Sequence, residues 1–194
     1  MRFDEGSASC VVHTFKEGML SAVAHDLKVK VGRFTIDIDG LESGAPGAVR
    51  ASFDTTSLRV VCAMKNGSEQ PALLSDGDRR KIEQTMAESV LQPARWPTAR
   101  YEVTALPGAS EWVQSGVGAL SLEGRLTLAG VERPLACAVR RERDAWVVEA
   151  ELDQTRFGIK PFTAALGTLR VRPVVRVRVE VPHPGPVVPD RPGP

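Results

Sequence analysis

The chain has 194 residues, 42% of them apolar and 25% charged, which suits one ordinary domain with a full hydrophobic core. Twenty-five basic residues stand against 24 acidic ones, a formal net charge of +1, so there is no long-range field of the kind nucleic-acid binders carry. No apolar run reaches membrane-spanning length.

The N-terminus, MRFDEGSASCVVHTFKEG, is acidic early and lacks an apolar stretch ahead of a small-residue cleavage site, so the expected location is the cytoplasm. A first strand is expected over 9–15, followed by a short helical turn at Lys16–Val23. Over 27–40, Leu27, Val29 and Val31 alternate with Lys28 and Lys30. The phase then slips and Phe34, Ile36 and Ile38 continue on even numbers, which predicts a β-bulge at Gly32–Arg33. After a strand over 48–57, the stretch VVCAMKNGSEQPALLS reads as a long segment that lids or extends whatever the strands enclose. A helix is expected over about 76–91, with Ser75 or Asp76 as N-cap, an apolar stripe of Ile82, Met86 and Val90, and Pro93 ending it.

Strands resume at 98–106, where Tyr101, Val103 and Ala105 share a face. In the strand over 115–128, Gly118, Leu120, Leu122, Gly124, Leu126 and Leu128 do the same. Leu135, Cys137 and Val139 make the inward row of 133–143. In 145–155, Trp146, Val148, Ala150 and Leu152 oppose Glu149, Glu151 and Asp153. The last strand, 168–181, sets Val171, Val175, Val177, Val179 and Val181 against Arg170, Arg172, Arg176, Arg178 and Glu180. If it neighbours 145–155, the outward Glu and Arg rows pair across the sheet. About eight strands, short connections and no βα alternation predict an all-β fold: an eight-stranded antiparallel barrel over 1–181 with one helix packed beside it. The Pro-rich tail 182–194 reads as disordered.

Catalytic signals are sparse. Cys10, Cys62 and Cys137 form no C-x-x-C pair and read as buried, reduced thiols, with a Cys10–Cys137 disulfide left open. His13 sits within the first strand, His183 in the tail, and the His25-Asp26 dipeptide lacks the further ligands a metal needs, so no metal and no cofactor are expected. No nucleophile elbow, P-loop or dinucleotide fingerprint occurs. Alternation places most carboxylates outside, so an enzyme is the weaker class. The inward rows instead use Val, Ala, Leu, Gly and Cys, with only ten aromatic residues in the chain. Small inward side chains leave volume, and each ligand CH₂ buried there contributes roughly 0.8 kcal/mol. Binding of an apolar molecule and a scaffold barrel with a filled core both remain open on pattern alone.

Four segments carry a resemblance. AHDLKVKVGRFTIDIDG, DRRKIEQTMAESVLQPARWPTARYEVTAL, GRLTLAGVERPLACAVR and LDQTRFGI occur in the order, and with the Gly-Arg-Phe, aromatic-Pro-Thr, Gly-x-Leu-Thr-Leu-x-Gly-Val and Phe-Gly-Ile elements, of the YceI-like polyisoprenoid-binding proteins. The match spans roughly residues 8–181. The resemblance implies a lipocalin-like barrel whose elongated cavity holds an isoprenoid chain, without a catalytic residue set. By position it implies His25, Phe34, Ile36, Tyr101, Val103, Leu126, Leu128, Trp146, Phe157 and Val177 as ligand-binding residues, His25 lying at the mouth near a polar head group. The partner it implies is an apolar lipid, a polyisoprenoid or an isoprenoid quinone. Ser89-Val90-Leu91 stand where the family often has an aromatic pair, so a less aromatic lining is expected. Barrels of this kind often form homodimers, and nothing in the pattern decides that here.

Overall fold

The computed structural model describes residues 1–18, 25–106, 120–164 and 169–182. In chain order the strands are β1 (Arg2–Asp4), β2 (Ser9–Thr14), β3 (Lys16–Glu17), β4 (Asp26–Val31), β5 (Phe34–Ile38), β6 (Val49–Asp54), β7 (Leu58–Lys65) and β8 (Ser68–Gln70). Helix α1 (Asp76–Thr85) continues as a π-helical turn, Met86–Leu91. Then come β9 (Thr98–Val103), β10 (Leu120–Leu128), β11 (Val131–Glu142), β12 (Ala145–Asp153), β13 (Thr163–Ala164), β14 (Leu169–Val171) and β15 (Val174–Pro182). The class is all-β with one helix, as expected, and the pairing is antiparallel throughout.

The main sheet has twelve strands rather than eight, in the order β1-β5-β6-β9-β10-β11-β12-β15-β2-β4-β7-β8. The excess has a geometric cause. Chain segments 26–38 and 49–65 form one ribbon bent at a corner, where Gly32 N–H donates to the Ser57 carbonyl (3.0 Å) and Asp54 N–H to that of Arg33 (3.0 Å). One half of the ribbon, β4 and β7, pairs at one end of the sheet, and the other half, β5 and β6, at the opposite end. Because two residues join β4 to β5, the ends of the sheet are drawn together and the sheet is strongly curled.

Three local expectations change accordingly. Gly32–Arg33 is the corner, not a bulge; the bulge lies in the β4–β7 ladder, where Lys28 opposes Cys62 and Val29 opposes Val60, leaving Val61 unmatched. The stretch from 58 is no lid. It is β7, turned into β8 by Asn66–Gly67, both at positive φ (52° and 78°), the dipeptide a two-residue hairpin favours. The last strand is broken before Pro173, so β14 joins β13 and β3 in a small second sheet, and Lys16–Glu17 is strand rather than helix. Residues 19–24, Gly116–Gly118 and the tail from 183 lie outside the described residues.

Helix α1 starts as its sequence dictates. Ser75 Oγ accepts from Asp78 N–H and the Asp78 carboxylate accepts from Ser75 N–H (both 3.1 Å), a reciprocal cap. Gln92, at φ 48°, ends the π turn.

Outward charges pair as the alternation demanded. Glu149 faces Arg178 across β12 and β15. Arg178 reaches Glu149 (3.0 Å), Glu142 (2.8 Å) and Glu180 (2.8 Å), while Arg140 reaches Glu149 (2.8 Å) and Glu142 (2.7 Å). Val147, on the same outward face, is buried. Hydrogen bonds from Arg140, then from Arg178, hold the Glu149 carboxyl below its usual range, and Arg178 does the same to Glu142. A carboxylate depressed in the folded state stabilises above its unfolded pKa, about 4.3, and loses that contribution as pH falls through its lower folded value. Arg178→Gln is therefore expected to lower stability by about 1–2 kcal/mol at pH 7, with the deficit shrinking below pH 4, as urea titrations at both pH values will read.

The β10–β11 hairpin turns through Ala129 (φ 49°) and Gly130 (φ 75°), and Trp96 packs on Gly130 with Arg95 stacked on its indole at 4.9 Å. Alanine is disfavoured in this left-handed turn and asparagine is not. Ala129→Asn is expected to gain about 0.5–1 kcal/mol, a rise of a few degrees in thermal midpoint.

Candidate functional site

The concave face of the curled sheet is lined by alternate residues of nearly every strand. Leu122, Gly124, Leu126 and Leu128 of β10 are buried on one face because the strand's period is two, and their outward neighbours Glu123 and Arg125 are exposed. The same rule turns Tyr101 of β9, Cys137 and Val139 of β11, Trp146 and Ala150 of β12, and Val175 and Val179 of β15 inward. Together they line a cavity of about 600 Å³ whose wall is almost wholly apolar. That volume lies within the range of pockets that bury most of a small ligand.

Tyr101 sets the shape of the β9–β10 wall. Its ring lies over Gly124, where a Cβ would fall 2.4 Å from Tyr101 Cζ, so only glycine admits it. Its hydroxyl sits 2.9 Å from the Leu122 carbonyl oxygen and 3.1 Å from that of Leu135, donating into that pair. Burial, with Cys137 adding to it, pushes the phenol above its ordinary value, so the group is a neutral donor. Burial also raises the Cys137 thiol and pushes Cys10 up to about 12. All three cysteines are free and buried, so no Cys10–Cys137 disulfide forms, and the two thiols on the cavity wall stay protonated and weakly nucleophilic.

Polar side chains reach the cavity from the ends of strands and from α1. Lys16, His25 and Arg170 come from β3, from the residue before β4, and from β14; Lys81 and Thr85 come from the helix. Asp54 also touches it, but its carboxylate is held by Arg33 (2.7 Å) and by Thr56 N–H (2.8 Å). Among the described residues, no three His, Cys, Asp or Glu side chains converge as a metal site would require, and no helix is long and apolar enough to cross a membrane.

Of the residues expected at the site, His25, Ile36, Tyr101, Leu126, Leu128, Trp146 and Val177 lie on the cavity wall. Phe34, Val103 and Phe157 do not. They are buried within the core, at the corner, at the last residue of β9, and in the 3-10 turn after β12. Alternation assigns a face but not a depth, and at strand ends the inward face meets a turn. Phe34 instead packs on Phe53 (centroids 6.0 Å apart), and it is Phe53 that reaches the cavity. The wall also takes Val12, Leu27 and Val29 from β2 and β4 and Ala51 from β6, all readable from alternation but not singled out. Ile82, Met86, Val90 and Leu91 join them from the helix, whose apolar stripe faces the void.

The profile of the YceI-like domain matches residues 3–182, nearly the whole chain. The chain belongs to the YceI-like family. Two solved structures share its fold. BcnA of Burkholderia cenocepacia is 11% identical, with a TM-score of 0.54 over 92% of this chain and 97% of its own. A polyisoprenoid binding domain from Saccharophagus degradans, implicated in plant cell wall breakdown, is 12% identical, with a TM-score of 0.52 over 90% of this chain and 96% of its own. No curated protein matches the sequence. At such identities the YceI-like likeness establishes the curled sheet with its helix, and the cavity residues are this chain's own.

Proposed function

We propose that the protein binds a long apolar lipid, a polyisoprenoid or an isoprenoid quinone, non-covalently inside a barrel formed by the curled sheet, and that it does so without catalysis. The apolar cavity of about 600 Å³ carries the proposal, because a filled-core scaffold would leave no such volume. The description of the Saccharophagus degradans domain as polyisoprenoid-binding supports the choice of cargo. Ten buried methylene equivalents would contribute about 8 kcal/mol before the costs of association, enough for useful affinity with few polar contacts. In this reading the chain lies along Tyr101, Leu126, Trp146 and Val177 and the head group rests near His25.

Mass spectrometry of a solvent extract from the purified native protein tests this directly. A stoichiometric isoprenoid or quinone is the expected result. An extract that stays empty after incubation with membrane lipids overturns the proposal.

A further inference from the structure

We propose that α1 is the gate of the cavity, hinged at its π-helical turn and latched onto β7 by Arg79 and Glu83. The proposal rests on the cavity being a binding site. An amphipathic helix ordinarily earns its place by burying an apolar stripe. Here neither α1 nor the π turn buries a single residue. Ile82 and Met86 are only partly buried, and both line the cavity. With no residue fully buried, the helix has less apolar contact to lose than a core element has, which suits a segment that opens locally.

Beside that stripe, the helix is held by polar contacts to a defect in the sheet. The bulge at Val61 interrupts the β4–β7 ladder. Glu83 Oε1 accepts from Val60 N–H at 2.8 Å, and Arg79 Nη1 donates to the Val61 carbonyl at 3.2 Å. Arg79, Ile82, Glu83 and Met86 stand at i, i+3, i+4 and i+7 and so share one helix face, the polar pair meeting β7 and the apolar pair meeting the cavity. Water replaces such bonds at small net cost, so the latch is releasable. The reciprocal cap at Ser75 and Asp78 keeps the first turn intact as it moves. At the far end Val90 and Leu91 pack against the core cluster and anchor the chain. The anchor is the end of the π turn, so the hinge is its first part, Met86–Ser89, between latch and anchor, a helix irregularity that can absorb rotation.

The test compares the full chain with an Arg79→Ala/Glu83→Ala variant, using stopped-flow mixing with the neutral fluorophore N-phenyl-1-naphthylamine. Both alanines keep helix propensity. A gate predicts that uptake and release each accelerate about tenfold while Kd stays within about twofold, because the latch exists in free and loaded states alike. Unchanged rates, or a weakened Kd with unchanged uptake, make α1 a fixed wall and overturn the proposal. Hydrogen exchange reads the opening without a ligand: amides of 79–86 should exchange about tenfold faster in the variant, with β10–β12 unaltered. Unaltered exchange in the helix overturns the gate even if the probe binds. A probe that enters neither protein counts against the binding reading, and exchange then decides the gate alone.

Discussion

Leu126→Trp is expected to weaken uptake of an apolar probe by at least tenfold while leaving the sheet folded; Val103→Trp is expected to damage the fold itself. Both positions face inward, so alternation treats them alike. Leu126 stands opposite Tyr101 on the cavity wall, and an indole there projects into unoccupied volume. Val103 is 1% exposed and does not line this cavity, so the same indole must displace packed core. Overpacking of this kind costs about 3 kcal/mol or more. Probe titration and thermal melts on the two variants separate the effects. Wild-type affinity in a folded Leu126→Trp protein would place the ligand elsewhere, and a stable Val103→Trp protein would mean that this part of the core is looser than its burial indicates.

Gly124→Val should destabilise by about 3–4 kcal/mol, although strand propensity taken alone assigns valine an advantage of up to about 1 kcal/mol. The new Cβ would lie 2.4 Å and 2.6 Å from Cζ and the hydroxyl of Tyr101, and 2.7 Å from the Glu102 carbonyl oxygen. Backbone cannot yield cheaply, so the ring must leave. Its departure strips the hydroxyl from the Leu122 and Leu135 carbonyls, an additional loss where no water takes its place. Tyr101→Ala in the Gly124→Val background should then cost much less than Tyr101→Ala in the wild type, with a coupling above about 1.5 kcal/mol by urea denaturation. Additive single and double variants would sink this account. Partial rather than full relief is expected, because the Glu102 contact survives.

Much of the fold was legible because its information is local. Period-two alternation in 120–128, 131–142, 145–153 and 174–182 assigned the inward rows correctly, and the Glu149–Arg178 pairing followed from register. The helix was legible from Ser75, the stripe and its position. Less legible was the stretch from 58, although Asn66-Gly67 is a hairpin signal in plain view. Its apolar run Val60–Met64 has no clean alternation, because the bulge at Val61 shifts the phase.

The site divides along the same line. The sequence by itself determined which residues face inward, that the lining would be apolar with many small side chains, and that most carboxylates would sit outside, since those depend on the side-chain period and on hydrophobicity alone. Only the tertiary structure decided that the ribbon 26–38 and 49–65 bends and serves both ends of the sheet, and with that the curvature that makes a concave face into a cavity. It also decided depth: Phe53 rather than Phe34 meets the void, Val103 and Phe157 stop short of it, and the stripe of α1 looks into it. Depth and curvature depend on distances between residues far apart in the chain, and no local pattern encodes those distances.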